Sequence, residues 1–290
     1  MYTILLGIST AVSWAIADIF IAQSTKTVKP LIAAALVNIV GAMLFTLYYL
    51  IFIRHPFQVN DAGIILCTLA GFAITLASAF FFMALHKGPV GLVSALSSTY
   101  PAVTLILAVA VFGATINTGQ GVGFSMVVAG VVTAAGLHVH KTELSKTGSG
   151  AWTALLAALL WGIGYGVLAE GVRLIGWQTA SLVQFGVLAA CCLLFVVVGW
   201  KKGNVSTSKL KAALKNRAIL GAAITQQAGA ILLNVGLSND TTGGSIIVAL
   251  SACYPVLTTI MAYFIFKERI PALALAGGLL AIMGIVVLSL

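Results

Sequence analysis

The sequence predicts an all-α polytopic membrane protein with ten transmembrane helices, arranged as two inverted-topology repeats of five helices. Composition is the first observation: 61% of the 290 residues are hydrophobic and 7% are charged, whereas a soluble domain carries about 25% charged residues. The second is a series of apolar segments long enough for helices of about 20 residues. The third is an internal repeat that spans the chain.

Ten helices are expected, and the connections between most of them are short. Their predicted bounds are 2–24, 30–53, 62–84, 90–112, 118–138, 151–172, 177–200, 217–237, 243–265 and 271–290. The longest polar connection is Lys201–Asn216, and the stretch Lys141–Gly150 (KTELSKTGSG) is the natural joint between halves. The first repeat is therefore predicted at 1–140, a cytoplasmic linker at 141–150 and the second repeat at 151–290.

The distribution of lysine and arginine predicts the orientation in the membrane. Of the 15 basic residues, 13 fall in the connections after the odd-numbered helices, and only Arg54 and Arg173 fall on the other side. The positive-inside rule then places both termini on the non-cytoplasmic side of a cell membrane, inner or plasma. The net charge of +9 is explained by these cytoplasmic connections, so no nucleic-acid partner is expected.

One segment occurs twice, near the middle of a helix in each half. Residues 95–104 read ALSSTYPAVT and residues 249–258 read ALSACYPVLT, with six of ten positions identical. A proline inside a helix frees the carbonyl four residues earlier, here that of Ser97 or Ser251. A duplicated, broken helix at membrane depth favours the substrate site of a transporter built from repeats. We therefore predict that Pro101 and Pro255 mark bending elements.

Other pairs of residues extend the repeat over the whole chain. Trp14 in helix 1 matches Trp161 in helix 6, and Asn38 in helix 2 matches Gln184 in helix 7. Helices 5 and 10 each contain two glycines seven residues apart, which we interpret as packing positions: Gly123 and Gly130, Gly277 and Gly284. Because five is an odd number of helices, the second half is inserted upside down relative to the first.

These features resemble the drug/metabolite transporter superfamily, of the ten-helix EamA type. The resemblance rests on the five-plus-five arrangement, the mid-helix tryptophans, the Tyr-Pro pairs and the segment 266–271 (FKERIP) before the last helix. The first half has Ala114 where the second has Glu268, so its signature is degenerate. The resemblance implies a central cavity between the halves, alternating access and small metabolite substrates such as amino acids, sugars, nucleotide-like molecules or drugs.

Asp18 is the most informative single residue. It lies four residues after Trp14 in helix 1, roughly 7–8 Å from the helix centre toward the cytoplasm at 1.5 Å per residue. An ionisable group at that depth costs several kcal/mol and indicates a functional site. It is expected either to bind a substrate ammonium or to accept a transported proton; the structural alternative is an acid paired with Lys26 or Lys29.

Polar and aromatic side chains elsewhere complete the predicted substrate site. Of the adjacent amides Gln226 and Gln227 in helix 8, at most one is expected to face a cavity. For each amide, a place in the cavity and a helix-packing role are both open. Mid-depth aromatic residues are expected to form walls that stack on a ligand. The complete predicted site is Trp14, Asp18, Asn38, Tyr100, Trp161, Tyr165, Gln184, Gln226 and Tyr254.

Several kinds of chemistry lack the residues they need. No cluster of His, Cys and Asp suggests a metal site, and no cofactor or catalytic constellation is expected. The four cysteines lie in apolar segments and are interpreted as small buried hydrophobic residues. No Lys or Arg lies deep in a helix, which argues against phosphorylated or strongly anionic cargo.

The sequence therefore predicts a secondary transporter, not an enzyme, for a neutral, zwitterionic or cationic metabolite. Its expected partners are the substrate, the lipid bilayer and protons as a candidate coupling ion; a monomer and a homodimer are both compatible. One alternative is an uncoupled facilitator or channel, in which Asp18 would be dispensable. A weaker alternative is a lipid-modifying enzyme, which would need a polar catalytic cluster at one interface.

Overall fold

The computed structural model of the chain describes residues 2–53, 55–112, 117–136, 144–202, 206–239, 247, 251–268 and 272–288. Regular structure in these residues is helical throughout. We number the helices in chain order: α1 Tyr2–Thr27, α2 Pro30–Tyr48 (continued by a π-helical turn Tyr49–Ile53), α3 Asp61–Lys87, α4 Val90–Ser97, α5 Tyr100–Phe112, α6 Thr118–Gly136, α7 Leu144–Lys201, α8 Thr207–Leu214, α9 Arg217–Asn239, α10 Tyr254–Phe266 and α11 Ala272–Leu288.

The prediction of an all-α polytopic membrane protein is confirmed. Six helical stretches of the described residues are long and apolar enough to cross a bilayer, and two shorter apolar helices lie at Tyr254–Phe266 and Leu275–Gly284. Large hydrophobic side chains such as Met43, Phe52 and Phe264 are more than half exposed, which is expected where lipid is the surrounding solvent. The count of ten spanning helices stays a prediction, since the predicted ninth helix is described only at Ile247 and from Ser251.

The predicted fourth helix is divided into two. The chain leaves helical geometry at Ser98 and Thr99 and starts again with α5 at Tyr100. Pro101 therefore occupies the first turn of a helix, where its missing N–H is tolerated. Pro255 has the same place in α10, whose N-cap is Cys253. The interruption predicted at each proline thus lies in the two residues that precede Tyr100 and Tyr254.

Two connections differ from the sequence-based expectation. Part of the predicted linker is helical, because α7 begins at Leu144; residues 141–143 lie outside the described part. The long connection after α7 contains the short helix α8. The sequence of this helix, TSKLKAAL, has two leucines and two alanines among polar residues, which did not indicate a helix. The predicted break between helices 6 and 7 is present inside α7 at Gly176, with φ 71° and ψ 155°. Only glycine adopts this conformation without steric cost.

The two glycine-containing helices α6 and α11 pack closely against each other. A Cβ added at Gly130 would lie 2.6 Å from the carbonyl oxygen of Gly277, and one added at Gly284 would lie 2.7 Å from that of Gly123. Each contact is the counterpart of the other, shifted by the repeat distance. Such reciprocal contacts are what a two-fold relation between halves produces, and they require glycine because the backbones touch.

Chain direction divides the bundle into two ends. We call one the basic end, because α1 ends there at Thr27, α3 at Lys87 and α7 at Lys201. At the other end, Glu170 and Arg173 form an ion pair, which their spacing of three residues on a helix permits. The first residues of α1 and the last of α11 lie at that opposite end, so both ends of the described chain are on one side of the bundle.

Candidate functional site

A cavity lies in the middle of the bundle, enclosed by α1, α3, α5, both parts of α7, α9 and α10. The space between these helices amounts to about 610 Å³, a figure that includes space open to solvent. Its lining residues are Trp14, Ala17, Asp18, Ile21, Ile74, Phe81, Tyr100, Trp161, Tyr165, Gln184, Phe185, Leu188, Gln226, Gln227, Ala230 and Tyr254. Among the described residues, the lining includes one acidic residue and no basic one.

Eight of the nine predicted substrate-site residues line this cavity, and Asn38 does not. Asn38 is buried between α2 and α3, where its Nδ2 donates to Ser78 Oγ at 2.9 Å. Its position corresponds to that of Gln184 in the second half, but the amide is shorter by one methylene. The structure thus gives Asn38 a contact between neighbouring helices, the packing alternative left open by the sequence.

Asp18 joins three helices from both halves of the chain. Its Oδ2 accepts a hydrogen bond from Ser94 Oγ of α4 at 2.5 Å and another from Thr258 Oγ1 of α10 at 3.1 Å. The side chain is 3% exposed, and neither Lys26 nor Lys29 is its partner. Both hydroxyls donate to the same oxygen, so Oδ1 is left for a proton or a ligand in the cavity that Asp18 lines.

Aromatic side chains form a continuous wall beside Asp18. The ring of Trp14 lies 6.2 Å from that of Tyr165 and 5.9 Å from that of Tyr254, and Tyr165 lies 5.3 Å from Tyr100. Trp14 is held by a hydrogen bond from Nε1 to the carbonyl oxygen of Gln226 at 3.3 Å. Trp161 contacts Phe81 separately, with 4.9 Å between ring centroids. Faces of such rings attract cations.

The two Tyr-Pro segments meet each other across the centre of the molecule. Tyr254 OH lies 3.3 Å from Ser97 Oγ, and Tyr100 OH lies 3.2 Å from Ser251 Oγ. Ser97 corresponds to Ser251 and Tyr100 to Tyr254 in the repeat, so the contacts exchange under the same two-fold relation as the glycines. These contacts link the discontinuous helices of the two halves beside the cavity that Tyr100 and Tyr254 line.

Amide groups form the polar part of the opposite wall. Asn234 donates from Nδ2 to Ser181 Oγ at 2.8 Å and to Gln184 Oε1 at 3.3 Å. With its oxygen occupied, Gln184 retains its N–H groups for the cavity. Gln226 Oε1 is buried without a hydrogen-bond partner among the described residues, and an unpaired acceptor in a cavity favours a ligand with N–H or O–H donors.

The expectation that at most one of the adjacent glutamines faces a cavity is wrong, because both line it. Gln227 passes between α9 and α2, over Gly41, where a Cβ would overlap the Gln227 side chain. The absence of a side chain at Gly41 therefore makes room for the second amide. Pro101 is not part of the lining, and Pro255 borders a separate apolar cleft between α4, α10 and α11.

Sequence reasoning missed the two hydroxyl partners of Asp18 and the aromatic contributions of Phe81 and Phe185. A signal was present for Thr258, which lies one turn after Tyr254 in the repeated segment. Ser94 lies one turn before Ser97 and Ser98, so it shares a helix face with another hydroxyl. In the part of the chain described, no group of three His, Cys, Asp or Glu side chains could hold a metal ion.

Comparisons with known proteins agree with this architecture. The sequence model of the EamA-like transporter family matches residues 1–135 and 148–290. An uncharacterized transporter of Archaeoglobus fulgidus is 26% identical over 294 residues, covering 100% of this chain and 99% of its own length. An uncharacterized protein of Methanocaldococcus jannaschii is 26% identical over 129 residues, which is 44% of this chain and 93% of its own. A solved crystal structure matches with a TM-score of 0.65 and 18% sequence identity, covering 99% of this chain and 98% of its own. At this identity the likeness is one of fold alone.

Proposed function

Because the chain belongs to the EamA-like transporter family, we propose that it is a secondary transporter that moves a small organic metabolite by alternating access. A cationic or zwitterionic metabolite is favoured over a neutral one. The observation behind this preference is Asp18. It is the one charged residue among the described residues of the lining, which otherwise are aromatic, aliphatic and amide side chains. An anionic ligand would face this carboxylate with no Lys or Arg in the lining to offset it.

The cavity suits a molecule that joins a cationic group to an apolar body. Its cationic group would lie at Asp18 Oδ1, with the rings of Trp14 and Tyr254 beside it. The unpaired acceptor on Gln226 and the N–H groups of Gln184 would meet further polar groups of the ligand. A zwitterion would use both kinds of amide contact, whereas a plain cation would use the acceptors alone.

Asp18 is also the group that would couple the ligand to movement. As a carboxylate it accepts hydrogen bonds from Ser94 of α4 and Thr258 of α10, and so holds one part of each discontinuous helix against α1. A proton or a substrate cation on the carboxyl group competes for the charge that makes those bonds strong. Occupancy of the site therefore changes the packing of the helices expected to bend, which is the requirement for linkage between binding and access.

The proposed orientation places the basic end in the cytoplasm, with both termini outside. The excess of lysine and arginine at that end supports it. A reporter that folds only outside the cytoplasm, fused after Leu290, is expected to be active; activity only of a cytoplasmic reporter would reverse the orientation.

A ligand screen tests the substrate class. The screen covers amino acids, sugars, nucleosides and cationic drugs, and we expect its cationic or zwitterionic members to raise the thermal-unfolding midpoint of the purified protein. A ligand at one hundred times its Kd stabilises the folded state by about 2.7 kcal/mol. The shift should disappear in Asp18→Asn and persist in Asp61→Asn, which makes the same chemical change at an exposed site in the first turn of α3. Stabilisation by an anionic class that survives Asp18→Asn would contradict the proposal.

A further inference from the structure

A second surface of the molecule, at the basic end, has the composition of a lipid-binding site. It consists of six exposed cations that flank or belong to α8 and the start of α2, which we call the basic surface: Lys29, Lys201, Lys202, Lys211, Lys215 and Arg217. A hydrogen bond of 2.9 Å from Asn216 Nδ2 to Thr27 Oγ1 joins the segment before α9 to the end of α1. Residues nearly two hundred positions apart in sequence thus contribute to one surface.

The basic surface has no counter-charge of its own among the described residues. Each described acid is engaged or placed elsewhere: Asp18 is in the cavity, Asp61 is at the opposite end, Glu170 pairs with Arg173, and Glu268 contacts α4. The segment 201–217 contains no acidic residue. Among the described residues nothing neutralises these six like charges, so the surface attracts anions from outside the chain.

Neighbouring side chains place this surface at the boundary between membrane and water. Trp200, 59% exposed, ends the apolar run immediately before Lys201 and Lys202, and exposed tryptophan is characteristic of that boundary. In α8, Ala213 is buried against the protein and Leu214 is 53% exposed. An exposed leucine on a lysine-containing helix at this depth is suited to the border of headgroups and acyl chains.

We propose that the basic surface binds the headgroups of anionic phospholipids, with Trp200 and Leu214 in contact with their acyl chains. Clusters of four to eight Lys or Arg next to a membrane-spanning helix attract anionic lipid by about 1 kcal/mol for each charge. The lysines beside Trp200 act from the end of α7 and those of α8 from a second element, so a bound lipid would bridge the second half of the chain to the α1–α2 connection. This inference does not rest on the transported substrate.

Lipid titration of the full chain in neutral detergent tests the proposal. Phosphatidylglycerol is expected to bind and raise the unfolding midpoint, whereas phosphatidylcholine, with the same chains, is expected to do so much more weakly. The preference should shrink as salt rises from roughly 0.05 M to about 0.5 M, because exposed charges are then screened. Equal binding of the two lipids would overturn the proposal.

Two double variants test whether lipid binding depends on the cations of the basic surface or on the total positive charge at the basic end. Lys211→Gln with Lys215→Gln is expected to weaken phosphatidylglycerol binding on the order of 25-fold, from the loss of two charges. Lys87→Gln with Lys267→Gln removes two exposed cations at the same end but outside the surface, and should leave binding within about twofold. If both pairs behave alike, the cations serve orientation only and the proposal fails.

A third arm distinguishes the lipid from its headgroup chemistry. Inorganic phosphate lacks acyl chains, so it is expected to compete only weakly with phosphatidylglycerol. Leu214→Ser should weaken the binding of phosphatidylglycerol and leave the binding of phosphate unchanged. Phosphate that stabilises the protein as well as the lipid does would identify a simple anion site and contradict the lipid assignment.

Discussion

At the scale of single residues, the candidate site depends on how one buried carboxylate is accommodated. Asp18 is 3% exposed, and burying a carboxylate is costly unless it is hydrogen-bonded. The hydroxyls of Ser94 and Thr258 supply those bonds from two other helices. The same residues therefore stabilise the fold and connect the cavity to the discontinuous helices.

We predict that Ser94→Ala lowers the free energy of unfolding by about 1–3 kcal/mol, because it leaves the carboxylate short of a donor. Chemical unfolding measures this change. Ser98→Ala is the matched control, since the Ser98 hydroxyl bonds only the nearby carbonyl of Ala95, and its cost should be smaller. In an Asp18→Asn background the cost of Ser94→Ala should fall; an unchanged cost would show that Ser94 acts independently of Asp18.

The sequence identifies Asp18 but not the residues that bind it. An acid inside an apolar helix is visible without a structure, because its cost is independent of its neighbours. Its partners lie 76 and 240 residues away. The place of Thr258 in the repeated segment draws attention to it, but the sequence does not tell which residue its hydroxyl contacts. Gln227 was misplaced for a similar reason, since the space it occupies is created by Gly41 in another helix.

At the scale of elements, the crossing of α6 and α11 joins the two halves through backbone contact. We predict that Gly130→Ala and Gly284→Ala each destabilise the protein by about 1–3 kcal/mol, because the added methyl group meets backbone that cannot move aside. The two effects should be similar in size, as the contacts are reciprocal. Unfolding midpoints measure both.

Gly121→Ala is the control on α6, because a Cβ there would have no neighbour within 4 Å. It should be neutral, or stabilising by up to about 1 kcal/mol through helix propensity. Equal destabilisation by all three substitutions would mean that helix packing at the crossing is not responsible.

The start of α4 is capped by a residue of the other half. Pro89 offers no side-chain cap, and the backbone N–H groups of Val90 and Gly91 instead donate to Glu268 at 2.9 Å and 3.3 Å. A carboxylate at a helix N-terminus gains from both hydrogen bonds and the helix dipole. This contact joins the start of α4 to the end of α10 at the basic end. The sequence counterpart of Glu268 in the first half is Ala114, outside the described residues.

Removing this cap is expected to open the first turn of α4. In Glu268→Ala, the amide hydrogens of Val90 and Gly91 should exchange with solvent about tenfold faster or more, as local opening becomes easier. Hydrogen exchange followed by mass spectrometry measures this directly. Glu170→Ala, which removes only the partner of Arg173, should leave exchange in α4 unchanged; unchanged exchange in Glu268→Ala itself would refute the cap.

Helix positions were predictable because length and hydropathy determine them, whereas their interruptions were less so. The break inside α7 depends on the positive φ of Gly176, and this residue lies in the gap between the predicted helices 151–172 and 177–200. The helix α8 was missed because eight residues of which half are polar resemble a loop until packing against α9 is known. Proline position did predict the discontinuities before Tyr100 and Tyr254.

At the scale of the whole molecule, two reciprocal sets of contacts relate the halves: the glycines of α6 and α11, and the serine–tyrosine pairs beside the cavity. The symmetry ends at Asp18, whose counterpart is Tyr165. Because only one half of the repeat contributes a carboxylate here, a proton or a cation bound to it would act differently on the two sides of the cavity. The family fixes the general role, and this asymmetry supports the proposed coupling.

Transport by reconstituted protein tests whether Asp18 couples the occupancy of the cavity to the movement of the helices. Uptake of the stabilising ligand into proteoliposomes should respond to an imposed pH gradient in the unaltered protein and in Asp61→Asn. In Asp18→Asn, uptake should fall at least about tenfold or lose its response to the gradient. Gradient-dependent uptake by Asp18→Asn at the unaltered rate would show that Asp18 does not couple transport to protons. Uptake that ignores the gradient in every variant, the unaltered protein included, would favour an uncoupled facilitator.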